Sequence, residues 1–107
     1  MAEEVLVIFC TFPDKETARG VGRTLVEEGL AACVNVLPGV ESIYRWKGVV
    51  ETGGEVMAII KSTVWRYQML EARLLALHPY EMPEVLGIKV EVGSVEYLRW
   101  VESGGAG

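Results

Sequence analysis

The chain has 107 residues, half of them hydrophobic, with ten Lys/Arg against 15 Asp/Glu and a formal charge of -5. That length fits one domain, and the averaged negative field opposes nucleic-acid phosphate and anionic membrane surfaces, so neither is expected as a partner. No apolar run approaches the roughly 18 residues of a spanning segment, and the acidic start Met1-Ala2-Glu3-Glu4 lacks the positive region of a signal peptide; a cytoplasmic protein without direct membrane insertion is the expectation.

In chain order, Glu4 to Thr11 predicts a strand whose continuously apolar Val5-Leu6-Val7-Ile8-Phe9-Cys10 places it centrally in a sheet. Asp14 predicts the cap of a helix over 15–28, with Ala18, Val21, Leu25 and Val26 near one face and Gly29 as its stop. A second strand runs from Ala31 to Trp46, kinked or bulged at Pro38-Gly39, with two separate short strands divided there as the alternative. Lys47-Gly48 starts a turn, and Glu51-Thr52-Gly53-Gly54 reads as a second flexible point before a third strand over 55–61.

Ser62-Thr63 introduces a second helix to about Ala76, with Met69, Leu70, Arg73 and Leu74 on a mainly inward stripe. The two prolines of His78-Pro79-Tyr80-Glu81-Met82-Pro83 forbid its continuation and predict an ordered loop. A fourth strand spans 84–90, Ser94 caps a short closing helix, and 104–107 reads as a flexible tail after a single domain over 1–103. The resulting β-α-β-β-α-β order is the ferredoxin-like signature of an α+β sandwich. That scaffold leaves enzyme, metal-binding and regulatory functions open.

Several chemistries lack their motifs in this chain. There is no phosphate-binding Gly-Lys-Ser/Thr loop, no His-Glu-x-x-His helix and no Gly-x-Ser-x-Gly turn. Gly20-x-Gly22 lacks a third spaced glycine and predicts close helix packing. The two cysteines, Cys10 and Cys33, form no Cys-x-x-Cys unit, so neither a disulfide nor a zinc knuckle is expected, and both read as buried small hydrophobes.

His78 is the sole histidine, too few parts for a catalytic His-Asp pair or a multi-histidine cage. Glu81 and Glu84 in its loop could join His78 or a cysteine around a metal, although a proline-fixed loop is also a structural device. Glu55 and Lys61 share a face of the third strand, as Tyr44 and Trp46 do of the second. Either pair could frame a polar cleft or simply meet solvent. No organic cofactor is predicted.

Ala31-Ala32-Cys33-Val34-Asn35, Ser42-Ile43-Tyr44-Arg45-Trp46-Lys47-Gly48 and His78-Pro79-Tyr80-Glu81-Met82-Pro83-Glu84 strongly resemble the CutA family, and Thr11, Pro13, Glu55, Lys61 and Tyr97-Leu98-Arg99-Trp100 agree with its pattern. The resemblance spans nearly the whole chain. It implies a ferredoxin-like homotrimer associated with tolerance of divalent cations and with copper binding, with no settled reaction. The matched segments are associated there with an intersubunit cleft, which makes Tyr44, Trp46, Glu55, Lys61 and Tyr80 candidates to line a cleft that holds a metal ion or a small ligand. Cys33, His78, Glu81 and Glu84 are the metal candidates, His78 with carboxylates for Cu(II) and Cys33 for Cu(I). The rival expectations are a trimeric interaction module for which metal is incidental, and a small-molecule enzyme.

Overall fold

The computed structural model describes residues 4–106. Met1, Ala2 and Glu3 of the acidic start and Gly107 of the expected tail lie outside the described residues. Four strands, β1 (Val5–Phe12), β2 (Cys33–Trp46), β3 (Val49–Thr63) and β4 (Leu86–Lys89), form one antiparallel sheet in the order β2-β3-β1-β4. With helices α1 (Lys15–Glu27), α2 (Val64–Leu77) and the closing α3 (Val95–Glu102), this is the ferredoxin-like α+β arrangement.

The apolar run of β1 is explained by burial on both faces. Ile8, Cys10 and Phe12 are buried in the main core with Ala18 and Leu25 of α1 and Leu70 and Leu74 of α2. Val5, of opposite parity, packs with Ala32 and Val101 of α3 in a smaller cluster.

Each long helix begins at a side-chain cap. Asp14 accepts from the Thr17 N–H at 2.8 Å, and Thr63 accepts from the Arg66 N–H at 3.3 Å. Ser94 occupies the corresponding position before α3 but makes no side-chain capping bond, unlike the sequence expectation. Gly29, at φ 73°, turns the chain out of α1 as expected.

Val26 and Met69 depart from their expected inward faces, at 40% and 65% exposure. Each neighbours a fully buried leucine, Leu25 or Leu70, and the ~100° step per helical residue carries it off the buried stripe. Arg73 also turns outward, donating to both Glu28 carboxylate oxygens at 2.9 and 2.8 Å. Of the two helical glycines, Gly22 is the packing position: a Cβ there would lie 3.0 Å from Val34 Cγ1, whereas one on Gly20 would meet nothing within 4 Å.

The β2–β3 hairpin sets the overall shape. Lys47 and Gly48 both have positive φ, 51° and 83°, the signature of the two-residue type I′ turn that matches strand twist. The register then pairs Trp46 with Val49, Tyr44 with Glu51 and Ser42 with Gly53. The expected flexible point at Glu51-Thr52-Gly53-Gly54 is therefore ladder, because β2 supplies each residue with a partner despite glycine's low strand propensity. The expected bulge is present, as a register shift between Leu37 and Val40 with Gly39 at φ 85°. After α3, the Gly104 and Gly105 N–H groups donate to the Val101 and Trp100 carbonyls at 2.9 and 3.0 Å, closing that helix.

The α1 packing gives a direct comparison of adjacent residues. Leu25→Ala is expected to destabilise by about 2–5 kcal/mol, while Val26→Ala stays within about 1 kcal/mol. Urea denaturation at one fixed protein concentration measures both; equal losses would contradict the assigned face.

Candidate functional site

The register of β1 against β3 ends at Phe12 and Val56, yet the hairpin runs on to its turn at Lys47-Gly48. The loop after α2 stands beside this projecting part. Between them lies a cleft of about 590 Å³. Strand alternation explains its walls: Ser42, Tyr44 and Trp46 share parity on β2, and Glu51, Gly53 and Glu55 share parity on β3, aligned across the ladder. Thr11 lies at its floor, and Tyr80, Glu81, Met82 and Glu84 close the loop side.

His78 fixes that loop from behind. It is 8% exposed, stacked on Phe12 with ring centroids 4.5 Å apart. Its Nε2 lies 2.8 Å from the Thr11 carbonyl, which can only accept, so Nε2 carries the proton and donates. Its Nδ1 accepts from the Tyr80 N–H at 3.1 Å. Both ring nitrogens are thus engaged in the neutral tautomer, and a metal at Nδ1 would have to displace the Tyr80 amide. Tyr80 in turn donates its hydroxyl to Glu55 at 2.8 Å.

Among the described residues the cleft lining contains four glutamates, Glu51, Glu55, Glu81 and Glu84, and no lysine, arginine or histidine. Burial holds the Tyr80 phenol well above the usual tyrosine range, and its bond to Glu55 adds to this. Burial likewise pushes the Cys10 thiol up to about 12, with the nearby Glu84 and Glu55 charges contributing.

Six of the nine sequence candidates, Tyr44, Trp46, Glu55, Tyr80, Glu81 and Glu84, therefore line one cleft, and His78 braces it. Cys33 and Lys61 do not join them. They are cross-strand partners farther along β3, about 20 Å from Glu55 at ordinary strand rise. Cys33 is half-buried, not fully buried as the sequence suggested, because it opens the edge strand β2. Its Sγ lies 3.8 Å from Asn35 Oδ1, which Lys61 Nζ also contacts. Among the described residues no three His, Cys, Asp or Glu side chains converge closely enough to hold a metal within one chain.

Sequence reasoning missed Glu51 and Ser42. Reading Gly53-Gly54 as flexible hid both, although a two-residue turn at Lys47-Gly48 already sets Glu51 opposite Tyr44.

The two thiols should differ sharply in reactivity. Native protein treated with iodoacetamide at pH 8 should be alkylated once, at Cys33, and a second time at Cys10 only after denaturation, since burial withholds the Cys10 thiolate. Peptide mass spectrometry reads the sites, and native labelling of Cys10 would contradict the packing described.

Comparison with known proteins bears on the same geometry. The family model described as CutA1 divalent ion tolerance protein matches residues 6–104. The divalent-cation tolerance protein CutA of Thermus thermophilus is 46% identical over 99 residues, spanning 92% of this chain and 94% of that protein. The crystal structure of CutA from Xylella fastidiosa superposes with a TM-score of 0.90 at 45% identity, covering 94% of this chain and 96% of that one. CutA1 from Oryza sativa gives a TM-score of 0.92 at 35% identity, covering 96% and 94%. The chain belongs to the CutA1 divalent ion tolerance family.

Proposed function

We propose that this chain acts in divalent-cation tolerance as a homotrimer that holds copper or another divalent cation in the cleft between the hairpin and the 78–84 loop. The observation that carries this reading is the lining: four carboxylates and no basic side chain make the cleft a trap for positive charge. Glu55 and Glu84 are the proposed first ligands, with oxygens suited to a hard or borderline cation. Since one chain brings no three ligating groups together among the described residues, a neighbouring subunit is proposed to complete the coordination sphere. His78 acts in this reading by holding Tyr80, and so Glu55, in place.

Assembly is supported by what the hairpin exposes. Ile43, Val49 and Val50 are 70%, 60% and 61% exposed on a two-stranded arm that projects beyond β1. A lone two-stranded ribbon is marginal in water, and β2 is an open sheet edge that invites pairing. A second copy would satisfy both demands. Closed cyclic assembly follows from the symmetry of identical subunits, and the number three rests on the family resemblance.

Two outcomes test this. Sedimentation equilibrium should return a trimer over a wide concentration range, with Trp46→Ala weakening assembly by at least about 2 kcal/mol as an interface anchor would; a persistent monomer or dimer would overturn the assembly. Calorimetric titration with Cu(II) should show binding that Glu55→Gln with Glu84→Gln weakens at least about tenfold, the ~1.4 kcal/mol minimum for losing two charged ligands. Unchanged affinity and stoichiometry would remove the cleft from the metal account.

A further inference from the structure

One metal ion leaves much of the cleft unexplained. Glu51 and Glu55 lie on the same face of β3, about 13 Å apart at ordinary strand rise, whereas metal–oxygen bonds are roughly 2.0–2.6 Å. No single ion reaches both. The wall beside Glu51 is Tyr44, its cross-strand partner, with Trp46 next on the same face. Trp46 already lies near a cation, with Lys47 Nζ 5.6 Å from its ring centroid.

Thr11 is only 5% exposed, and its cross-strand partner Met57 continues the alternation of Glu51, Gly53 and Glu55, so its side chain lies on the cleft face. Its carbonyl accepts from His78, but its hydroxyl has no hydrogen-bond partner among the described residues. Thr11 lines the cleft, where its hydroxyl can accept a hydrogen bond from a ligand.

We infer that this cleft binds a linear aliphatic polyamine, its ammonium groups spread between Glu51 and Glu55, its methylenes against Tyr44 and Trp46, and Thr11 accepting from one amine N–H. The inference rests on reading the cleft as the cation site and adds a ligand class to it. Separated carboxylates match separated charges on a line, aromatic faces attract both methylene and ammonium groups, and about 590 Å³ lies within the range of small-molecule sites.

The test is calorimetric titration of the full native chain with spermidine, repeated with Mg(II) and with Cu(II), at one fixed ionic strength. Spermidine should bind at least tenfold more tightly than Mg(II). Glu51→Gln should weaken spermidine at least fivefold and weaken Cu(II), which Glu51 attracts without ligating, by a clearly smaller factor, and Thr11→Val should weaken spermidine at least threefold. Circular dichroism and sedimentation identify any variant that fails to fold; because Glu51 is exposed, that variant keeps the test decisive. Absence of spermidine binding, or binding indifferent to Glu51→Gln and Thr11→Val, overturns the inference. Cu(II) bound through Glu55 and Glu84 without spermidine defeats the polyamine alone, whereas loss of both ligands defeats the cleft reading as well.

Discussion

The mismatch in length between the β2–β3 hairpin and the strand beside it is the constraint on which the rest of the molecule depends. β2 and β3 have 14 and 15 residues against eight in β1. The excess cannot be covered by α1 and α2, whose buried faces are filled by the shared part of the sheet. A type I′ turn and an unbroken ladder keep the excess extended. It therefore stands out as an arm whose one face forms a cleft with the 78–84 loop and whose apolar residues remain open to solvent.

The cleft owes its chemistry to a short chain of bonds from the core. Phe12 is fully buried and stacks on His78; His78 ties the Thr11 carbonyl to the Tyr80 amide; Tyr80 reaches Glu55. Each link is neutral up to the last, so the charge appears only at the cleft wall, where water or a cation can meet it. Neutral His78 therefore serves a different purpose from a ligand: its nitrogens are spent positioning an aromatic hydroxyl against a carboxylate. The glutamates have no cationic side chain in the lining to compensate them, which favours an incoming positive charge.

Most of the fold was legible because it rests on local signals that agree. Apolar β1, the caps at Asp14 and Thr63, the Gly39 bulge and the proline-bounded loop each have a short-range cause. The site was half legible. Strand parity united Tyr44 with Trp46, but the same even spacing joined Glu55 to Lys61, which share a face and lie far apart along it. Cys33 reads as buried from its apolar neighbours, whereas its exposure depends on β2 being an edge, a property of the whole sheet. The burial of His78 comes from Phe12, far away in sequence, and no local pattern announces it.

The central claim is that the cleft, completed by a neighbouring copy, is where this family member holds a cation. The most direct measurement is a crystal structure of untagged protein grown with Cu(II), with anomalous scattering recorded above and below the copper edge. The account predicts a trimer with an anomalous peak beside Glu55 and Glu84 and at least one further ligand from the adjacent subunit. A peak confined to Cys33, or copper-loaded crystals in which the cleft holds no metal, would contradict it.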